Sequence, residues 1–340
     1  MNLNDFNYKL PKELIAQKPA LPRSSSKIFI AEKKIISYFN KLHEHLDSND
    51  VLVINNTKVI PAIIFGKTNN RKIKITLHTK ISINSWIAFA KPAKLLKIGN
   101  IINFSDDLFA KVIDKNKAHV ELFFNKKEKV FYKFLNSFGE LPIPPYIKEI
   151  NNKKLNKRNY QSIFSRKFGA YASPTASLHF DDLLLKNIKK KNIDVIEVTL
   201  HVGAGTFLPL ENDMIEMNKL HKEKGYISTK SAYKINDSIH RKKNIVAVGT
   251  TVLRLLEDCY AKYSKIRYYN EHNELFIYPG FKFNVVDKLI TNFHLPKSSL
   301  LLLVSAFGGK NNIIQYYKNA IKNKMRFYSY GDGMIINRLK

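Results

Sequence analysis

The rhythm of apolar residues changes along this chain, and that change limits the folds open to it. From about 62 to 140, the segments "RKIKITLHTK", "SWIAFAKPA", "NIINFSD", "LFAKVID" and "KAHVELFF" alternate apolar and polar residues. Asn, Asp, Gly and Lys turns separate them. A period of two belongs to half-buried strands, whose side chains point to opposite faces in turn. Short strands at this spacing predict a small antiparallel β-barrel. "LPIPPYI" (141–147) ends the block, because proline has no N–H to give to a ladder.

After about 170, strand and helix patterns alternate. "DDLLLKNIKKK" (181–191) predicts an amphipathic helix, with two aspartates suited to the positive end of its dipole. "IDVIEVTLHV" (193–202) predicts a strand, "TKSAYKINDSIHRKK" (229–243) a helix, "NIVAVGTT" (244–251) a buried strand and turn, and "VLRLLEDCYAKY" (252–263) a helix. "VVDKLITNF" (285–293) and "NNIIQYYKNAIKNK" (311–324) are read as further helices. Upstream, "DVLVINNT" (50–57) reads as a buried strand. The fold class is therefore α/β, with a mixed-sheet main domain built from 1–60 and 150–340 and the small barrel inserted over 61–149.

Composition narrows the function. With 44% apolar and 25% charged residues, the 340-residue chain has the make-up of a folded soluble protein. Its longest apolar run, "LLLLVSAF" (300–307), is far below the roughly 18 residues of a membrane span. No secretory signal opens the sequence, and one cysteine, Cys259, allows neither an internal disulfide nor a multi-cysteine metal site. A cytoplasmic protein is expected. Lys and Arg total 57 against 28 Asp and Glu, a net charge of +29. Either a biased genome or attraction to a polyanion, RNA first, accounts for that excess.

Six segments share one layout, a strand followed by a small-residue turn with polar side chains. They are "GAYASPTASLHF" (169–180), "TLHVGAGTF" (199–207), "AVGTTVLRLLE" (247–257), "FIYPGFKF" (276–283), "ITNFHLPKSSL" (290–300) and "FYSYGDGM" (327–334). In open α/β sheets, ligands lie beyond the carboxyl ends of strands, where such turns gather. "VGAGTF" matches neither the nucleotide-triphosphate loop nor the full dinucleotide fingerprint, so its glycines are read as admitting a planar or sugar ligand to the backbone. His201 and His179 are each either an acid–base group or a satisfied structural histidine. His294 either binds or braces its turn, and Asp332, between two glycines, either shapes a turn or faces a ligand. His221 and Glu223 either pair or face solvent, and Arg254 with Glu257 fits a helix-surface ion pair. No zinc motif is present.

Taken together, "DFNYKLPKELIAQKP", "VINNTKVIPAIIFG", "GELPIPPYI", "YASPTASLHF", "TLHVGAGTF", "VAVGTTVLRLLE", "LFIYPGFKFNVVDKLITNFHLPKSSLLLLVSAFGG" and "MRFYSYGDGMII" resemble the signature blocks of one family. It is the S-adenosylmethionine:tRNA ribosyltransferase-isomerases of queuosine biosynthesis, and the blocks run in the family's order over nearly the whole chain. The resemblance implies a monomeric transferase that moves the ribosyl part of S-adenosylmethionine onto 7-aminomethyl-7-deazaguanine at a tRNA wobble position. Rearrangement of that ribose gives epoxyqueuosine and releases adenine and methionine. S-adenosylmethionine is then a co-substrate, with no cofactor, metal or membrane involved. Departures stand at Leu208, where the family usually has arginine, at Ser177 in place of glycine, and at Lys157 and Arg158 in place of Asp-Arg.

The implied chemistry needs a base to take a proton beside the sulfonium and an acid to assist adenine's departure. His201, His179 and Asp332 are the candidates for those roles. Thr175, Gly203, Gly205, Thr206, Thr250, Thr251, Arg254, Tyr278, Gly280, Asn292 and His294 are the candidate substrate-binding residues, and Lys157, Arg158 and Arg166 the candidate tRNA contacts. A tRNA methyltransferase is the rival enzyme, but neither its GxGxG turn nor a knotted-fold signature is present. A radical S-adenosylmethionine enzyme would need several thiolates. A non-catalytic RNA-binding module is the rival of another class, and it does not account for the Gly/His/Asp turns.

Overall fold

Val51, Leu52, Val53 and Ile54 have no exposed side, and that total burial makes β3 (Asp50–Asn55) the middle of a sheet. A strand covered on both faces reads as a continuous apolar run without alternation. The computed structural model describes residues 3–116, 119–144, 146–147, 157–203 and 219–339, excluding the side chains of 219–221. These form two compact units, one of 3–58, 146–147 and 159–339, the other of 59–144 and 157–158.

The larger unit holds a nine-stranded sheet. Its order is β15 (Tyr269–Leu275), β13 (Lys219–Ile227), β12 (Asp194–His201), β3, β14 (Asn244–Val248), β16 (Lys288–Asn292), β17 (Gly333–Asn337), β1 (Lys27–Ile30) and β2 (Ile35–Tyr38). β12, β3, β14 and β16 run parallel, and β17 runs against β16. A two-stranded ribbon of β4 (Thr57–Val59) and β11 (Lys167–Ala170) continues from β3.

Helices follow where the sequence caps them. The Asp181 carboxylate accepts from the Leu184 N–H to open α2 (Asp182–Lys190), and Ser228 does the same through Ser231 for α3 (Thr229–His240). α4 (Thr250–Tyr263) starts directly after β14, and α5 (Ser299–Gly308) and α6 (Lys310–Lys322) follow β16. α5 is apolar almost all round and is buried accordingly. No helix among the described residues is long and apolar enough to cross a membrane.

One segment differs from its expected form. "VVDKLITNF", read as a helix, contains the strand β16. Leu289 and Ile290 are fully buried between β14 and β17, and a strand hidden on both faces carries no alternation to betray it.

The smaller unit is a closed barrel in the order β10 (Val120–Phe124), β7 (Ser85–Lys91), β6 (Arg71–Lys80), β5 (Ile63–Thr68), β8 (Ile101–Asn103) and β9 (Phe109–Lys115). The alternation is visible in β6, where Ile73, Ile75 and Leu77 are buried and Lys72 and Lys74 are exposed. The strand pattern does not reach 140, because α1 (Glu128–Phe138) intervenes. Its Phe131 packs on Phe124 at 4.3 Å between ring centroids.

At the amino ends of the parallel strands sits Asp50, wholly buried. Its carboxylate accepts from Lys288 Nζ at 2.7 and 2.9 Å, from Asn244 Nδ2 at 2.9 Å and from the Asp47 N–H at 2.9 Å. It thus ties together the first residues of β3, β14 and β16. Asp50→Ala leaves a half-buried ammonium without its partner and is expected to cost about 3 kcal/mol in urea unfolding. Asp50→Asn, which keeps one acceptor, should lose less.

Candidate active site

Parallel pairing places the carboxyl ends of β3, β12, β14 and β16 along one edge. The register opposes Asn292 to Gly333 and Ile28 to Gly333, so the amino ends of β17 and β1 meet the same edge. Asn55, His201, Gly249 and Asn292 therefore share it with Ser26 and Asp332. Two asparagine-centred networks occupy it.

Asn55 organises the first. Its Nδ2 donates to the Leu200 carbonyl at 2.9 Å and to Thr251 Oγ1 at 3.2 Å, while Oδ1 accepts from the N–H groups of Thr57 and Leu200. One amide thus joins β3 and β12 to the first turn of α4. The Thr57 hydroxyl stands 2.7 Å from His201 Nδ1. Against the same ring lies Gly169, at φ +148°, where an added Cβ would come within 2.8 Å of the imidazole. Burial, with Lys167 and Lys224 nearby, lowers the His201 pKa to about 4 and keeps it neutral at pH 7. Its Nε2 makes no hydrogen bond among the described residues.

The second network centres on Asn292. Its Nδ2 donates to the Tyr328 carbonyl at 3.2 Å and to His179 Nε2 at 3.0 Å, and its Oδ1 accepts from the Thr175 hydroxyl at 3.0 Å. A carbonyl can only accept, so the Tyr328 contact fixes which end of the amide is nitrogen. His179 Nε2 must then accept, and its proton sits on Nδ1, donating to Ser26 Oγ at 2.7 Å. The Ser26 hydroxyl donates onward to the Arg23 carbonyl. His179 also stacks on Phe39 at 4.1 Å, and burial, helped by Arg326 and Arg23, lowers its pKa to about 3. Both of its nitrogens are engaged.

Asp332 is similarly occupied. Its carboxylate accepts from the backbone N–H groups of Lys27 and Arg326 at 2.9 and 2.8 Å, and the Arg326 guanidinium lies 3.4 Å away. It clasps the 326–332 turn to the start of β1. His294 braces its own turn: Nε2 meets the Thr291 hydroxyl at 2.9 Å, its N–H donates to the Tyr317 hydroxyl, and its carbonyl accepts from Tyr8. Burial lowers its pKa to about 3.

Arg254 and Glu257 do not form the expected surface pair. Both are buried, and they face different neighbours. Arg254 Nη1 donates to Glu223 Oε2 at 2.6 Å, with Nη2 and Nε on Asn273 Oδ1 and the Leu275 carbonyl. Glu223, which the sequence left to pair with His221 or face solvent, instead turns its other oxygen to the Gly203 N–H at 3.0 Å. Glu257 accepts the N–H groups of Asn284, Val285 and Val286.

The remaining candidates divide by position. Thr250 opens α4 after Gly249, whose φ of +97° suits only glycine. Tyr278 accepts the Phe281 N–H through its carbonyl, and Gly280, at φ +104°, is exposed. No hydrogen bond among the described residues links either to Asn55 or Asn292. Gly205, Thr206 and Leu208 lie outside the described residues. Lys157 donates to the Asn136 carbonyl at 2.7 Å and, with Arg158, belongs to the barrel unit. Arg166 belongs to the larger unit and pairs with Glu197. Ser177 is fully buried in the turn carrying His179. Sequence reasoning passed over Asn55, Thr57 and Ser26. The signal was present in "VINNT", a buried strand that ends in three consecutive polar residues.

The family model described as queuosine biosynthesis protein matches residues 3–336. The chain belongs to that family. Among its relatives is the S-adenosylmethionine:tRNA ribosyltransferase-isomerase of Halothermothrix orenii, 40% identical over 99% of this chain and 100% of the relative. The proteins of that name from Vesicomyosocius okutanii and a Sulfurihydrogenibium species are 42% and 43% identical, each over 99% of this chain and 99% and 100% of their own lengths. A crystal structure of the S-adenosylmethionine tRNA ribosyltransferase of Thermotoga maritima aligns with a TM-score of 0.56 and 31% identity, covering 98% of this chain and 99% of that one.

Within this family member the depressed histidines carry a stability consequence. His179, His201 and His294 bind protons more weakly folded than unfolded, so acid favours the unfolded chain. Their contribution is complete above the unfolded pKa of about 6.5 and is lost as pH falls towards 3–4. Between pH 7 and 5, the urea-unfolding free energy should fall by up to about 2 kcal/mol for each of the three. Separately, Gly169→Ala should push the His201 imidazole off Thr57. Nitrogen NMR of the ring would report the loss of that hydrogen bond while His179 keeps its Nδ1–H signal.

Proposed function

We propose that this chain is an S-adenosylmethionine:tRNA ribosyltransferase-isomerase acting in queuosine biosynthesis. The activity in its relatives' names, matched along their full length, supports that reading. The observation that assigns its chemistry is the seating of His201, neutral and with Nε2 unengaged, at the edge where the described family blocks meet. S-adenosylmethionine is the co-substrate, and the acceptor is 7-aminomethyl-7-deazaguanine at the tRNA wobble position. Epoxyqueuosine-tRNA, adenine and methionine are the products. The enzyme works as a cytoplasmic monomer and engages tRNA through its positive charge, with Lys157, Arg158 and Arg166 among the contacts.

In this scheme the sulfonium acidifies the ribose carbon bonded to it, and neutral His201 takes the proton through Nε2. An imidazolium of such low pKa is a strong acid, so the same residue can pass the proton to the departing adenine. The amine of the deazaguanine then bonds to the ribosyl fragment. Closure of the epoxide by a ribose oxygen breaks the carbon–sulfur bond and releases methionine. Thr57 orients the imidazole. His179 and Asp332, with their polar atoms already engaged, act as positioning residues for Asn292, Thr175 and the 326–332 turn. Gly203, Gly205, Thr206, Thr250, Thr251, Arg254, Tyr278, Gly280 and His294 form or support the walls around the nucleoside.

Release of free adenine from S-adenosylmethionine, dependent on tRNA carrying the deazaguanine, is the expected outcome. A methyltransferase would leave adenine attached in S-adenosylhomocysteine, and a binding module would release nothing. His201→Ala should slow single-turnover adenine release by about 10²–10⁴-fold. A near wild-type rate in a folded variant would remove the proton-transfer role. With about five phosphates engaged, log affinity for tRNA should fall against log salt with a slope of roughly −4.

A further inference from the structure

The turn at 327–332 does more than hold Asn292 and β1. Between Tyr328, whose carbonyl meets Asn292, and Asp332 lie Ser329 and Tyr330. Tyr330 is 4% exposed, and its ring meets that of the wholly buried Tyr160 edge to face at 6.1 Å. The Tyr146 hydroxyl hydrogen-bonds to Ser329 Oγ, and its ring lies 4.5 Å from that of Tyr328. Tyr146, Tyr330, Ser329 and the backbone of Ser173 all act on the Tyr160 phenol electrostatically, so these groups form one cluster. Burial pushes the phenols of Tyr328 and Tyr330 up to about 12 and raises those of Tyr146 and Tyr160 as well. All four are neutral near pH 7.

The hydroxyls of Tyr160, Tyr330 and Ser173 are shut off from water and have no hydrogen-bond partner among the described residues. Buried polar groups are nearly always satisfied, and leaving three in one cluster destabilises the fold. The backbone is strained at the same place: Tyr328 sits at φ +69°, a region that costs energy for a non-glycine residue. Unmet hydrogen bonds and strain together describe a site whose missing partner is a ligand. Ser173 stands two residues before Thr175, and Tyr330 two before Asp332, so the cluster borders the Asn292 network.

We propose that Tyr160, Tyr330 and Ser173 recognise the edge of a neutral, planar, purine-like base. This inference rests on the ribosyltransferase reading and names a recognition site within it. A hydroxyl both donates and accepts, which suits a base edge where the two kinds of group alternate. The aromatic faces of Tyr146 and Tyr328 suit a flat ring. An anion would instead call for a cation, and the nearby Arg23 guanidinium donates to the Gln161 carbonyl. In the closed form seen here, the base enters as Tyr330 shifts and the strained turn relaxes. Two bases in the reaction share this chemistry, the adenine of S-adenosylmethionine and the deazaguanine of the tRNA.

The test uses full-length Tyr160→Phe/Tyr330→Phe and Ser173→Ala, which remove oxygens and little else. Ligand-free thermal unfolding should be unchanged or shifted upward, because an unsatisfied group is gone. Titration calorimetry with S-adenosylmethionine alone should show affinity lowered about tenfold in the double variant if adenine is the base held. If deazaguanine is held, that affinity stays and the modified-tRNA concentration giving half-maximal adenine release rises by a similar factor. A lower melting temperature would overturn the proposal by showing that the hydroxyls have structural partners. So would unchanged affinity for both substrates. Failure of the wild type to release adenine would sink the ribosyltransferase reading, whereas the calorimetric arm reads the pocket without turnover.

Discussion

The reversal of direction between β16 and β17 is the constraint on which the site depends. A run of parallel strands gathers carboxyl ends, and with them the turns leading away, but it sends the amino ends to the far side. Because β17 opposes β16 and β1 follows β17, two strand beginnings are added to the edge where four others end. Ser26 and Asp332 reach Asn292 for that reason alone. The ladder registers, which place Gly333 beside both Asn292 and Ile28, leave little freedom in how closely these groups approach. A slip of one residue would turn every side chain to the opposite face.

Two uncharged amides then do what ion pairs often do elsewhere. Asn55 and Asn292 each offer a donor and an acceptor at once, so each can join elements that arrive with unlike backbone groups. Neither brings the desolvation cost of a buried charge. The histidines beside them are held neutral for the same reason, since an imidazolium in these surroundings would lack a counter-ion. The two rings differ in what remains available. His179 has both nitrogens committed, while His201 has one committed and one open, and that difference separates a support from a reactive group.

The barrel and the parallel core were legible because their periodicities are local properties. Ile73, Ile75 and Leu77 announce their inward face by position alone. β16 was not legible, since burial on both faces erases alternation and only its neighbours decide between strand and helix. At the site, the turns were visible as glycine and polar clusters, but the partners were not. Nothing local in "LHKE" shows that Glu223 meets Arg254, 31 residues away, or that its other oxygen holds Gly203. Likewise the role of Asn55 follows from β12 lying beside it, a fact of topology. The helix-surface pairing of Arg254 with Glu257 failed because it assumed exposure, and α4 is buried along both of those faces.

The Arg254–Glu223 pair shows what a buried charge can contribute here. Replacing such a pair with apolar residues is often neutral or favourable for stability, so stability alone does not account for it. What an apolar pair could not do is hold a backbone N–H. Glu223 divides its two oxygens between the guanidinium and the amide of Gly203, two residues beyond His201. The guanidinium in turn is fixed by Asn273 and the Leu275 carbonyl on the next strand. A chain of directed bonds therefore runs from β15 through α4 and β13 to the backbone beside the reactive ring. It sets where β12 ends and its turn begins, and so fixes the direction from which a nucleoside meets Nε2 of His201.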